Sequence, residues 1–225
     1  VPLTMAPHAF DDRYRGCREQ TMRQLPKLNR TEFAANGLYA KFWGKAAALW
    51  QSRGAQGSLR WPEEAIALLA YTLPGRNALY ERLNAAVRSG GCSRHVYWDN
   101  FHFKVLHFLL TAALQDLGKA ETPRGCLRAF RGVRGVRVTA RPGQIVRFGH
   151  FASSSLNKGK AQKFGTDTFF EVRTCHGASI GNFSFYHRDE EEVLIPPYET
   201  FKVTSVTQQG GTTQIRLDSH GEHSN

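Results

Sequence analysis

The chain reads as an α+β protein, with a mainly helical part over 1–124 and a mainly antiparallel sheet or sandwich over 125–225. Three observations predict this. Apolar residues recur at steps of three and four through the first half. After about residue 125 they gather instead into short runs rich in Val, Phe, Ile and Thr, divided by Gly and Pro. The two kinds of segment are segregated along the chain rather than alternating, which argues against a parallel, doubly wound sheet. With 225 residues, 41% hydrophobic and 12% aromatic, there is ample apolar material for a buried core, and 1–225 is read as a single domain.

Each element has its own local reason. In TEFAANGLYAKFWGKAAALW, residues Phe33, Tyr39, Phe42, Trp43, Ala46 and Trp50 fall at helical spacing behind Thr31 as N-cap. WPEEAIALLAY sets Pro62 at the first helical position and Glu63 and Glu64 in the first turn, where the free amide ends favour negative charge. ALYERLNAAVRSGG carries Leu79, Leu83 and Val87 on one face and stops at Gly90-Gly91. NFHFKVLHFLLTAALQDLG presents Phe103, Leu106, Leu110, Ala113 and Leu117, closed by Gly118. The strand-like runs are LRAFRGV, QIVRFG, TFFEVRT, SIGNFSFY, EVLIP, TFKVTSV and TTQIRLD. The last two flank Gln208-Gln209-Gly210-Gly211, a hairpin turn, and SLNKGKAQKFG suits a short helix.

Composition narrows the function classes. A net charge of +11 calls for a polyanionic or phosphorylated partner, and the charge is unevenly spread. Between Cys126 and Gly165 stand nine Lys or Arg and no acid, whereas residues 189–192 are all acidic. No RNA- or DNA-binding motif accompanies the charge, so a nucleic-acid partner is not expected. No stretch approaches the ~18 consecutive apolar residues of a membrane span, and Val1 opens without a recognisable leader. The four cysteines form no C-x-x-C pair, the histidines no H-E-x-x-H, and Asp189 to Glu192 no calcium-loop spacing, so no metal is expected. Sequons at Asn29-Arg30-Thr31 and Asn182-Phe183-Ser184 point to the secretory route and an extracellular setting.

Three polar stations interrupt the strand-like runs: Arg131 in AFRGV, Ser153 to Ser155 in FASSSL, and Glu190 to Glu192 before VLIPP. A bidentate cation in an apolar strand suits a phosphate or carboxylate ligand, although the strand alone favours a structural ion pair. Clustered serines more often satisfy turn backbone. If 190–192 is a strand, its period-two alternation sends Glu190 and Glu192 to one face, two carboxylates toward one cleft.

Phe130-Arg131-Gly132-Val133, Phe151-Ala152-Ser153-Ser154-Ser155-Leu156 and Glu190-Glu191-Glu192-Val193-Leu194-Ile195-Pro196-Pro197 resemble the Arg, Ser-x-Ser and Glu-x-Glu signature of arginine-specific mono-ADP-ribosyltransferases. FDDRYRGC, the HFKVLHFLLTAAL run and AQKFGTDTFFEVRTCHGA are similar to its vertebrate cell-surface or secreted branch, so the resemblance covers nearly the whole chain. It implies that family's fold, a helical region followed by a two-sheet β-sandwich. It also implies transfer of ADP-ribose from NAD, with NADP an alternative donor, to arginine-bearing acceptor proteins or small guanidino compounds. Glu192 would stabilise the oxocarbenium-like state by binding the ribose 2′-hydroxyl, and Glu190 would orient and deprotonate the guanidinium. Arg131 would hold the phosphates or ribose, Gly132 would dock the carboxamide, Ser153 would support Glu192, and Phe164 would lie beside the nicotinamide. The acid-free run 126–165 would surround the pyrophosphate.

The same resemblance implies a Cys126–Cys175 disulfide and pairs Cys17 with a cysteine beyond Asn225, leaving Cys17 to Cys92 as another pairing. The protein is expected to be a monomer, either secreted or lipid-anchored. NAD hydrolysis at the same site, or a catalytically silent binding protein of the same fold, are the alternatives.

Overall fold

The structure is a computed structural model, and it describes residues 1–54, 57, 59–121 and 125–225. The helical part opens with α1 (Arg18–Ala35) and α2 (Gly37–Arg53), so the run expected to start at Thr31 is two helices. Thr31 lies inside α1 and its hydroxyl donates back to the Lys27 carbonyl at 3.2 Å. The N-cap is Asn36, whose side chain accepts from the Tyr39 amide at 3.1 Å and donates to the His102 carbonyl at 3.0 Å. A short polar side chain at a break satisfies first-turn amides, whereas a mid-helix threonine bonds one turn back.

Then come α3 (Pro62–Thr72), α4 (Leu79–Gly90), α5 (Arg94–Asn100) and α6 (Lys104–Glu121). In α3 the Glu64 carboxylate reaches back to the Trp61 amide at 3.3 Å. Helix α5 buries none of its residues and so carries no apolar stripe for a sequence reading to find. Helix α6 runs past Gly118. The expected boundary between the helical and β parts, at 124, lies outside the described residues. Leu68, Leu69, Leu79, Leu83, Val87, Leu106 and Leu110 form the helical core, and Phe151, Ile180, Phe183 and Leu194 join it from the β side.

The β part comprises β1 (Leu127–Val133), β2 (Ile145–Val146), β3 (Ala152–Ser155), the short α7 (Lys158–Gln162), β4 (Thr168–Thr174), β5 (Ala178–Ser179), β6 (Glu192–Ile195), β7 (Glu199–Gln209) and β8 (Thr212–Glu222). Of the SIGNFSFY run only Ser179 is strand. The chain from 181 to 191 folds as turns with His187 at φ 52° and Glu191 at φ 45°, values no strand contains. Gly210 and Gly211, at φ 58° and 83°, make the β7–β8 turn that only positive-φ residues close well.

The strands follow one hydrogen-bonded order, β2-β7-β8-β4-β1-β3-β6-β5, rather than two separate sheets. The two groups of strands expected of a sandwich are joined by a single register pair, Phe130↔Ser155, between β1 and β3. Packing still follows a sandwich, because Ala129, Phe170, Val172, Phe201 and Leu217 from one group share a core with Ala152, Val193 and Ile195 from the other. Pairing is antiparallel except between β4 and β8.

Cys126 and Cys175 are bridged beside the Leu127↔Thr174 pair that ends the β1–β4 ladder. The fully buried Glu199 carboxylate secures the next turn, accepting from the Cys175 amide at 3.2 Å and the His176 amide at 3.0 Å. Cys17 and Cys92 are unpaired thiols, so the Cys17–Cys92 alternative is not realised. The sequons differ: Asn182 is exposed, whereas Asn29 is buried inside α1 with its carbonyl oxygen held by the Tyr39 hydroxyl at 2.6 Å. No helix among the described residues is long and apolar enough to cross a membrane.

Candidate active site

Strands β1 and β3 meet helices α3 and α4 around a cavity of about 540 Å³. Arg131, Gly132, Ser153, Phe164, Glu190 and Glu192 all line it, so residues spread over some sixty positions of sequence share one concave surface. Arg131 donates from Nη1 to the Ser153 carbonyl at 2.7 Å and lies 5.9 Å from the Phe148 ring centroid. Among the described residues it forms no ion pair, so the structural-pair alternative has no partner, and it lines the cavity. Burial lowers its pKa, with Arg88 adding to the effect.

Gly132 is required by contact rather than by torsion. A Cβ there would sit 2.3 Å from the carbonyl oxygens of both Ala161 and Gly165, so α7 and the turn after it press directly on the β1 backbone. Gly165, at φ 140°, is equally committed, since its Cβ would meet the Arg134 amide at 2.4 Å. This packing leaves Phe164 at the rim, 61% exposed.

Glu190 and Glu192 share the cavity for a different reason than strand alternation. Glu192 is the first residue of β6, but Glu190 lies in the preceding turn, and the left-handed Glu191 between them turns the chain. Glu191 points outward to Lys160 at 3.1 Å. The turn is tied to β3 by the Ser155 hydroxyl, which donates to the Glu190 carbonyl at 2.8 Å, and by the Leu156 amide on the Glu191 carbonyl at 2.9 Å. Glu192 is half-buried, and lost hydration raises its pKa to about 7, opposed by the Ser184 and Ser153 hydroxyls.

The floor carries residues the sequence reading missed. Asn84 of α4 donates to the Tyr71 hydroxyl and the Phe151 carbonyl, both at 3.1 Å, and accepts from the Phe151 amide at 3.1 Å, pinning the start of β3 to the helices. Arg88 lies one turn further along α4 and lines the cavity too. The Tyr71 hydroxyl stands 3.4 Å from the Ser153 hydroxyl, and burial raises its pKa to about 12. His150 is held neutral, its pKa lowered to about 3 by burial and by Arg131 and Arg88. The buried Ser154 hydroxyl has no hydrogen-bond partner among the described residues. Of these, Asn84 and Arg88 at i and i+4 beside the Leu83–Val87 stripe were the readable signal.

The acid-free run lines much of the cavity, from Phe130 to Phe164, but most of its cations lie elsewhere. Arg131 is its one cation there; Arg128 pairs with Glu171, and the fully buried Arg147 pairs with Asp11. Arg147 also donates to the Met5 and Ala6 carbonyls at 2.7 and 2.9 Å, so it fastens the N-terminal segment. Among the described residues no group of three or more His, Cys, Asp or Glu could hold a metal ion.

The cavity gathers a guanidinium, the Gly132 backbone and two carboxylates, groups suited to holding an anionic ligand and to stabilising positive charge that develops on it. The family model for NAD:arginine ADP-ribosyltransferases matches residues 3–225, and the chain belongs to that family. It is 51% identical over 227 residues to NAD(P)(+)-arginine ADP-ribosyltransferase 2 of Gallus gallus, covering 100% of this chain and 71% of that protein. It is 46% identical over 244 residues to GPI-linked NAD(P)(+)-arginine ADP-ribosyltransferase 1 of Homo sapiens, covering 100% and 72%. The crystal structure of the eukaryotic mono-ADP-ribosyltransferase ART2.2 superposes with TM-score 0.84 at 35% identity, covering 100% of this chain and 97% of that one. A mutant of ART2.2 in complex with NAD matches equally, with TM-score 0.84 at 34% identity and the same coverage. The chain is accordingly a transferase that takes ADP-ribose from NAD and delivers it to arginine.

Proposed function

We propose that the transfer takes place in the cavity between β1, β3 and α4, with the labour divided between the two glutamates. The observation that carries this is the placement of Glu190 and Glu192 on one wall of the cavity that Arg131 and Gly132 also line. Arg131, with Arg88 from α4, holds the dinucleotide phosphates or ribose, while the Gly132 backbone and Phe164 receive the nicotinamide. The bond from nicotinamide nitrogen to ribose breaks with its electron pair leaving on the ring. Positive charge then develops at the anomeric carbon beside the Glu192 carboxylate.

A guanidinium nitrogen attacks that carbon, and Glu190 accepts the proton it sheds, which then passes to solvent. The assistance is needed because guanidinium loses a proton only above about pH 12. Glu192 must be ionised to do this work, and a pKa near 7 leaves it responsive. The cationic nicotinamide ring of arriving NAD draws that value down. Ser153 supports Glu192 from β3.

The 225 residues act as one catalytic domain and as a monomer, on arginine-bearing proteins or small guanidino compounds. We place the protein at the cell surface, because relatives in Mus musculus and Homo sapiens are named as GPI-linked. The test is incubation with labelled NAD and agmatine, counting nicotinamide, free ADP-ribose and adduct separately. Adduct supports the reading; free ADP-ribose alone would make the protein a hydrolase, and no cleavage of NAD would overturn it.

A further inference from the structure

One hydroxyl hydrogen-bonded to Glu192 lies outside the three motifs. Ser184 is fully buried, and its Oγ donates to Glu192 Oε2 at 3.2 Å. The same oxygen accepts from the Tyr186 amide at 3.2 Å, so its single proton is left for the carboxylate and the hydroxyl has one orientation. The backbone around it is held in turn. Arg53, the last residue of α2, donates to the Ser184 carbonyl at 2.9 Å and the Phe185 carbonyl at 3.1 Å, and the Thr72 hydroxyl accepts from the Phe185 amide at 2.9 Å. Phe183, next in sequence, is buried in the helical core. Ser153, by contrast, also stands beside the Tyr71 hydroxyl at 3.4 Å and divides its attention.

We propose that Ser184 is the positioning residue for Glu192, and that Arg53 fixes Ser184 by gripping the two carbonyls of its loop. This rests on the role given to Glu192 above. A hydroxyl donating to the carboxylate favours the ionised form and locks the rotamer that faces the anomeric carbon. The other charged and titratable groups that line the cavity with Glu192 are Glu190 and Tyr186 from the same turns, Tyr71 from α3, Tyr80, Glu81 and Arg88 from α4, Arg131 from β1 and His150 before β3. Because those groups stay in place when Ser184 is changed, a movement of the Glu192 titration reports the lost hydroxyl.

The experiment measures NAD cleavage against pH for the parent, Ser184→Ala, Ser184→Thr, Arg53→Met and Glu192→Gln, with melting temperature recorded for each. Ser184→Ala is expected to shift the acid limb of kcat/KM to higher pH and to lower turnover at pH 6 by roughly tenfold, while retaining its fold. Ser184→Thr restores the parent limb, and Arg53→Met shifts it in the same direction by less. An unmoved limb in Ser184→Ala, with Glu192→Gln inactive, would overturn this proposal and leave the role of Glu192 standing. Full turnover in Glu192→Gln would overturn both. If Ser184→Ala does not fold, an unmoved limb in Arg53→Met overturns the proposal.

Discussion

The Ser155 hydroxyl donates to the Glu190 carbonyl at 2.8 Å, so the strand that carries the serines also anchors the turn that carries the first glutamate. Removing the Glu190 carboxylate therefore leaves the backbone tie intact and isolates the side chain's chemistry. Glu190→Gln is expected to lose transfer to agmatine by at least a hundredfold while still releasing free ADP-ribose, because water needs neither orienting nor deprotonating to reach the anomeric carbon. Product analysis by chromatography decides it. Parallel loss of both activities would assign Glu190 to the donor as well.

Glu192→Gln should abolish transfer and hydrolysis together, and it should also stabilise the protein in one pH range. A folded-state pKa of about 7, against an ordinary value of 4.5, means that folding resists ionisation of this carboxyl. The folded state binds more protons between those values, so stability falls as pH rises from 4.5 to about 7 and stays lowered above. The amide removes that loss, worth at most about 3 kcal/mol. The melting temperature of Glu192→Gln should exceed the parent's at pH 8 and match it at pH 4; equal values at both would contradict the burial argument.

Much of this was legible in the sequence, and the failures have physical causes. Apolar spacing located α2, α3, α4 and α6 because each buries a stripe, and it missed α5, a short helix with no fully buried residue. Arg131, Ser153 and Glu192 could be found as polar interruptions in strands. Glu190 was placed on the right wall for the wrong reason, since Glu191 at φ 45° is a torsion that no residue pattern announces. Asn84 and Arg88 were passed over because polar residues on a helix usually face water. Ser184 was read as the third residue of a sequon, and its burial against a carboxylate depends on a tertiary fold of turns.

Arg131→Lys is expected to weaken NAD binding by on the order of tenfold or more. One ammonium cannot keep the 2.7 Å bond to the Ser153 carbonyl and also present a planar pair of donors to the ligand. Calorimetric titration with NAD measures it, and unchanged affinity would make Arg131 a brace for β3 alone.

Gly132→Ala should cost both binding and stability. Its methyl group would lie 2.3 Å from two backbone carbonyl oxygens, and backbone cannot yield as a side-chain tip can. The α7 turn and Phe164 would be pushed off the rim. A substantial fall in melting temperature with loss of NAD affinity is expected; a variant with parent-like values would show that the turn moves freely.

Breaking the Cys126–Cys175 bridge frees a loop of 49 residues in the unfolded chain, which chain-entropy arguments value at about 4 kcal/mol. The Cys126→Ala, Cys175→Ala double variant should unfold at lower denaturant concentration than the parent. Thiol counting on the unreduced, unfolded parent should find only Cys17 and Cys92 reactive.

Asn182, Phe183 and Ser184 send one side chain outward and two inward, and this sets up a race during synthesis. The tripeptide is a sugar acceptor only while it is extended and its hydroxyl is free, a condition that ends once Ser184 closes on Glu192. Any oligosaccharide at Asn182 must be attached before the catalytic wall assembles; it would be carried on Nδ2, leaving Oδ1 to accept from Arg188 at 2.8 Å. The fraction of molecules bearing a glycan there is thus a clock for how quickly this loop matures, slower folding leaving a heavier protein.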